Sequence, residues 1–123
     1  MRVIVCGGRE YNELQHVWTT LSGMSPEITA IAHGGADGAD CCAGAWASAA
    51  GVSTRVFRAN WSLHGRAAGP LRNAQMLREF QPDAVIAFPG GRGTADMIRQ
   101  ARAAGVRVIE IPQHTADAAG EEG

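Results

Sequence analysis

Short runs of apolar, β-branched residues alternate with longer stretches in which apolar positions recur at helical spacing. Arg2–Cys6 is the first such run, and Gly7-Gly8 ends it. Leu14, Val17, Trp18 and Leu21 then fall at i, i+3, i+4 and i+7, one face of an amphipathic helix that Asn12 can cap. Ile28–Ala32 is the second strand and stops at His33-Gly34-Gly35. Ala39, Cys42, Ala43, Trp46, Ala47 and Ala50 form a second helical stripe, with Gly51 as its stop, and Trp18 and Trp46 read as core. Ser53–Phe57 is the third strand. Arg58 to Gly69 reads as a long loop, after which Pro70 suits the first turn of a helix running to about Phe80. Ala84–Phe88 is apolar throughout, as a central buried parallel strand should be. A helix from Thr94 to Ala104, stopped by Gly105, leads to a last strand at Val106–Ile111.

Strands alternating with helices predict an α/β fold in three layers, a parallel five-stranded sheet with helices on both faces. Ligands in such folds sit at the carboxyl ends of the strands. Three Gly-rich runs lie there, after the first, second and fourth strands. Their recurrence at equivalent places weighs more than any one of them.

Composition narrows the function. At 123 residues the chain is of one-domain length, and it buries roughly 65% of its unfolded surface without staples. Residues 1–113 form the expected domain, and 114–123 an acidic, disordered tail. No stretch nears the ~20 apolar residues of a membrane span, and the start lacks a signal-peptide layout, so a cytoplasmic protein without a membrane partner is expected. The three cysteines, Cys6, Cys41 and Cys42, lack paired metal spacing, and the four histidines are scattered. Neither a metal site nor a cofactor is expected. All 11 cations are arginine, and residues 1–113 carry 9 acids against them, a net of +2. That is too little for a nucleic-acid footprint resting on electrostatics.

Pro89-Gly90-Gly91-Arg92-Gly93-Thr94 is the strongest single motif. Glycines let a ligand approach the backbone, and the helix that follows presents unpaired N–H groups and the positive end of its dipole. Together these suit a phosphate, to which Thr94 adds a hydroxyl and Arg92 a charged fork. A plain turn with Thr94 as N-cap is the simpler alternative, and no Walker A lysine is present. His33-Gly34-Gly35-Ala36-Asp37-Gly38-Ala39-Asp40 can form a second wall, with Asp37 or Asp40 facing ribose hydroxyls or Asp37 capping the helix. His33 reads first as a hydrogen-bonded structural histidine. Gly7, Gly8 and Arg9 offer a third wall, and Cys6 reads as a small core residue. Trp61, His64 and Arg66 lie in a stretch whose length suits a lid. Arg72, beside Asn73, falls near a helix N-terminus, an odd place for a cation unless an anion sits nearby.

These motifs in combination resemble the SLOG superfamily, which includes the Lonely guy proteins and DprA, and within it a small YspA-type branch. The resemblance rests on C-G-G-R at 6–9, H-G-G-A-x-G-A-D at 33–40, Trp61, A-G-P-x-R-N-x-x-M at 68–76 and F-P-G-G-x-G-T-A-D-M at 88–97. It implies a Rossmann-like fold of strand order 3-2-1-4-5, commonly a homodimer. Lonely guy proteins cleave the N-glycosidic bond of nucleoside monophosphates, with the signature P-G-G-x-G-T-x-x-E and a catalytic Arg in an R-x-x-x-M helix. Carried over, Pro89 to Thr94 match the phosphate loop, and Arg72 with Met76 matches the Arg helix. The signature Glu falls on Met97, which is no acid. Asp96 is one residue away, about 100° around the helix. The first expectation is therefore binding, as sensor or carrier, of a nucleotide-derived, ADP-ribose-like or phosphoribosyl ligand. The alternative is a phosphoribohydrolase with Arg72 catalytic and Asp96, Asp37 or Asp40 as the acid.

Overall fold

The computed structural model describes residues 1–24 and 27–112. The expected tail at 114–123 lies outside them. In chain order the elements are β1 (Arg2–Cys6), α1 (Leu14–Met24), β2 (Ala30–His33), α2 (Ala39–Ala50), β3 (Ser53–Val56), α3 (Trp61–His64), α4 (Ala68–Phe80), β4 (Ala84–Ala87), α5 (Arg92–Ala103) and β5 (Arg107–Glu110). The strands form one parallel sheet in the order β3-β2-β1-β4-β5. This is the Rossmann-like arrangement that the family resemblance implies.

Alternation along the central strands sends side chains to two cores. Val3, Val5, Ile31 and Ile86 face α1 and α2, where they bury Val17, Leu21, Ala43 and Trp46. Ile4, Ala32 and Val85 face α4 and α5, where they meet Met76, Phe80, Met97 and Ala101. Trp46 donates its indole N–H to Ser22 Oγ at 3.0 Å, so its burial leaves that donor satisfied. Removing a side chain such as Ile86 from this interior costs about 2–5 kcal/mol.

Several boundaries differ from the sequence reading. Leu14 opens α1 but is 49% exposed, since only Val17 and Leu21 of its stripe are buried. Asn12 meets α1 through its carbonyl, which accepts from Leu14 N at 2.8 Å. The long loop expected over 58–69 instead holds α3 and a 3₁₀ turn at Gly65–Ala67. Asn60 nucleates α3, its side chain accepting from Leu63 N at 3.1 Å. Pro70 becomes the third residue of α4, where its missing N–H has no intrahelical acceptor to lose. Helix α5 starts at Arg92 with Gly91 as N-cap, so Thr94 sits inside the first turn and caps nothing. The N-cap of α2 is Gly38, so Asp37 does not cap that helix either. The expected stops hold. Gly51 and Gly105 adopt φ of +73° and +78°, and the Gly51 N–H closes α2 on the carbonyls of Ala47 and Ser48.

Candidate functional site

Because all five strands run parallel, the loops after β1, β2, β3 and β4 share one edge of the sheet. The chain reverses direction across the sheet at β1, which has β2 on one side and β4 on the other. The crevice at that point is where doubly wound folds bind ligands.

The loops close on one another before they meet any ligand. Gly8 N donates to the Pro89 carbonyl at 2.8 Å, and Ala39 N reaches the Gly8 carbonyl at 3.3 Å. A Cβ at Gly7 would come 2.5 Å from Ala39 Cβ, and one at Gly90 would come 2.6 Å from Gly8 N. A Cβ at Gly34 would press on the Arg72 guanidinium carbon at 2.7 Å. Gly7 and Gly90 are required by the packing of one loop on the next, and Gly34 leaves room for the Arg72 side chain of α4. Gly91 and Gly93 are different. A Cβ on either would meet nothing within 4 Å, and neither has a positive φ. Gly93 sits in the first turn of α5, where Ala would favour the helix by roughly 0.5–1 kcal/mol.

Gly91, Arg92, Gly93 and Thr94 form one wall of a cleft of about 410 Å³. Among the described residues no acceptor takes the backbone N–H of Arg92, Gly93 or Thr94; the first bond of the helix runs from Ala95 N to the Gly91 carbonyl at 3.0 Å. Gly7, Gly8 and Arg9 form a second wall, and Gly34, Ala36 and Asp40 a third. Arg72 and Asn73 of α4 close the floor, and Trp61 of α3 stands at the mouth.

Arg72 is held rather than free. Its Nε donates to Asn73 Oδ1 at 2.9 Å, and its Nη1 donates to the carbonyls of Gly34 at 3.1 Å and Phe57 at 3.4 Å. Its Nη2 has no protein partner among the described residues and stays available to the cleft. Burial lowers the Arg72 pKa from its ordinary value, while Asp40, Cys6 and Asp96 pull the other way.

Asp40 is 6% exposed and sits in α2's first turn. Its Oδ2 accepts from Gly34 N at 2.9 Å and Ala36 N at 3.3 Å, and its Oδ1 has no partner among the described residues. Burial pushes the carboxyl up to about 6, against the pull of the Ala36 and Gly34 N–H groups and of Arg72. The cleft thus holds a carboxyl pushed well above the ordinary carboxylate range. Burial, with Asp40 adding to it, lifts the Cys6 thiol to about 12, so Cys6 lines the cleft as a neutral thiol, not a nucleophile.

Asp96 and Met97 lie elsewhere. Met97 is 1% exposed and packs with Met76 and Val85 beneath the sheet. Asp96 is buried between α4 and α5, where its Oδ2 accepts from Asn73 Nδ2 at 3.0 Å and Gln100 Nε2 at 2.7 Å, and its Oδ1 pairs with Arg99. It does not line the cleft, but it orients Asn73, which does. His33 is also outside the lining. Its Nδ1 accepts from Gly35 N at 3.0 Å, and burial, helped by Arg58, lowers its pKa, which favours the neutral ring.

Gly35, Asp37 and Arg58 line an adjoining hollow of about 310 Å³ that shares Arg9, Gly34 and Trp61 with the cleft. Pro89 and Gly90 line a third hollow of about 290 Å³ with Ile98 and Glu110, and it shares Gly91 and Thr94 with the cleft. Of the suggested lid, Trp61 is 52% exposed over the cleft, while His64 and Arg66 point to solvent outside every lining named here. Sequence reasoning missed Arg58. Its signal was position: it follows the end of β3, and parallel register brings that end to the same edge of the sheet as the cleft. No helix of the described residues is long and apolar enough to cross a membrane, and the described residues hold no metal-binding cluster.

Comparison with known proteins agrees with this architecture. The DNA processing protein A, DprA, of Streptococcus pneumoniae superposes over 94% of this chain with a TM-score of 0.75 at 20% identity. The chain spans about half of that protein, 52% of its length. The structural-genomics target TM1055 superposes over 88% of this chain and 72% of its own, with a TM-score of 0.67 at 21% identity. At these identities the likeness is one of fold. Sequence likeness goes further. The Gene 61 protein of Mycobacterium phage D29 is 39% identical over 120 residues, 89% of this chain and 95% of its own. The profile of the YspA, cpYpsA-related SLOG family matches residues 1–64, from β1 to the end of α3. The C-G-G-R and H-G-G-A-x-G-A-D motifs both fall inside that match, and the chain belongs to this SLOG family.

Proposed function

We propose that the chain binds a phosphate-bearing, nucleotide-derived ligand in the cleft at the carboxyl ends of its strands, as a sensor or carrier. The observation that carries this reading is the pair Gly91 and Gly93. A Cβ on either would meet nothing within 4 Å, Gly93 lies in the helix itself, and both border unpartnered N–H groups at the start of α5. A phosphoryl group seated on those N–H groups explains why the wall is kept bare. Arg92 and the Arg72 Nη2 then supply charge, the Thr94 hydroxyl a further donor, and the Asp40 Oδ1 an acceptor for a ribose hydroxyl. Trp61 offers its face to a base. The test is thermal stabilisation against a panel of nucleoside monophosphates and phosphoribosyl compounds. At 100 times the dissociation constant a true ligand adds about 2.7 kcal/mol. Silence across the panel removes the proposal.

One observation favours a second reading, hydrolysis of an N-glycosidic bond. Asp40, with its carboxyl near 6 and one oxygen free in the cleft, has the properties of a general acid. Asp96 lacks them, since Asn73, Gln100 and Arg99 engage both of its oxygens. In this reading nucleoside monophosphates release free base over time, and equal rates in wild type and Arg72→Ala end it. Binding ranks first because the signature acid position is Met97, in the core.

The proposal includes a homodimer in the cytoplasm, in keeping with three free cysteines and with the exposed Leu63 and Leu71. Light scattering that gives a monomer mass removes the dimer. DNA is not part of the proposal, since the likeness to DprA is one of fold and the net charge is −1.

A further inference from the structure

The cleft and its neighbouring hollow share Arg9, Gly34, Ala36, Trp61 and Arg72, so they are two ends of one depression. The far end adds Arg58 and Asp37. Arg58 uses one N–H, from Nη1 to the Gly35 carbonyl at 3.1 Å. The Arg9 guanidinium has no protein partner among the described residues. In a chain whose cations are all arginine, one surface arginine carries little weight. Three of them on one hollow, against the single acid Asp37, carry more.

A phosphoryl group at the start of α5 leaves the far end cationic and unmatched. Asp40 Oδ2 accepts from the N–H groups of Gly34 and Ala36, which line both ends, so a sugar hydroxyl placed against its free Oδ1 stands where the two ends meet. Resting on the reading of the α5 seat given above, we infer that the ligand carries two phosphoryl groups held apart by a ribose. Its chemistry is that of a nucleoside bisphosphate or a 5′-phosphorylated dinucleotide, not of a nucleoside monophosphate. Arg58 and Arg9 hold the second phosphoryl group, and Asp37 limits how tightly they do so.

Calorimetric titration of the full chain with AMP, ADP, adenosine 3′,5′-bisphosphate and the dinucleotide pApA tests this. The bisphosphate, pApA or both should bind about tenfold more tightly than AMP, the worth of one added charge-assisted contact. A preference between those two identifies the source of the second phosphoryl group. Arg58→Gln should abolish the advantage and leave AMP binding unchanged. Asp37→Asn, which retains every arginine, should widen it. Equal binding of AMP and both two-phosphoryl probes overturns the inference, as does ADP matching them, or Arg58→Gln weakening AMP to the same extent. In the first two of those cases the α5 seat still stands; in the third the AMP phosphate engages Arg58, which counts against the seat as well. Absence of binding by all four probes instead overturns the α5 seat, and this inference with it.

Discussion

Asn73 Nδ2 donates to Asp96 Oδ2 at 3.0 Å, and Asn73 Oδ1 accepts from Arg72 Nε at 2.9 Å. One amide therefore links a buried carboxylate of α5 to the arginine on the cleft floor. Of the hydrogen-bond partners of Asp96, Asn73 is the one that lines the cleft, and the Asp96 charge also acts on Arg72. Asp96→Ala strands a buried Asn73 donor and should lower stability by about 1–3 kcal/mol in urea denaturation. Asp96→Asn should retain most ligand binding. If Asp96→Asn loses binding without losing stability, the carboxylate acts directly on a ligand.

The glycines of the loop at 89–94 should separate stability from binding. Gly90→Ala forces a Cβ to 2.6 Å from Gly8 N and should destabilise by about 1–3 kcal/mol. Gly93→Ala meets open space within a helix and should stabilise by roughly 0.5–1 kcal/mol. The same methyl group projects where a phosphoryl group would sit, so affinity should fall at least about tenfold. Denaturation midpoints and calorimetry on both variants check this. A Gly93→Ala protein that binds normally argues against a phosphate at this wall.

Asp40 sets a pH dependence. Its folded-state pKa, about 6, lies above its ordinary value of 3.8, so folding favours the protonated form. Its stabilising contribution is full below 3.8 and is lost as pH rises through about 6. Asp40→Asn should thus be the more stable protein at pH 8, by up to about 3 kcal/mol. The two should converge near pH 4. Ligand binding runs the other way, weakening below about 6 as the Oδ1 acceptor is protonated. Denaturation series at several pH values decide it, and a pH-independent difference contradicts the assignment.

Trp61 is the exposed one of three tryptophans, Trp46 being buried and Trp18 packed against the core. Nucleotide binding should quench indole fluorescence in the wild type and leave Trp61→Phe nearly silent, with affinity reduced by about 1–3 kcal/mol in Trp61→Ala. Unchanged quenching in Trp61→Phe would place the base elsewhere.

The sheet was legible because its signals are local. Ala84–Phe88 is apolar throughout, and Gly51 and Gly105 stop helices with a positive φ. The three walls were legible because parallel strands bring alternate loops to one edge. What each wall residue does was not. Gly34 is bare because Arg72, 38 residues away, lies against it. Gly7 and Gly90 are bare because of neighbours in other loops. Such reasons are contacts across the fold, invisible in any window of sequence. For the same reason Asp40, not Asp37, proved the buried acid: its Oδ2 satisfies two N–H groups of the loop after β2. Helix α3 was missed because one turn is too short for a periodicity, and its cap, Asn60, is also a common loop residue.

An amide NMR titration of the full chain with a nucleoside 5′-monophosphate speaks most directly to the phosphate seat. The largest shifts should fall on Arg92, Gly93 and Thr94, whose N–H groups lack protein partners, followed by the Gly34 and Ala36 amides held by Asp40. Shifts absent from the start of α5, with binding elsewhere or none at all, would contradict it.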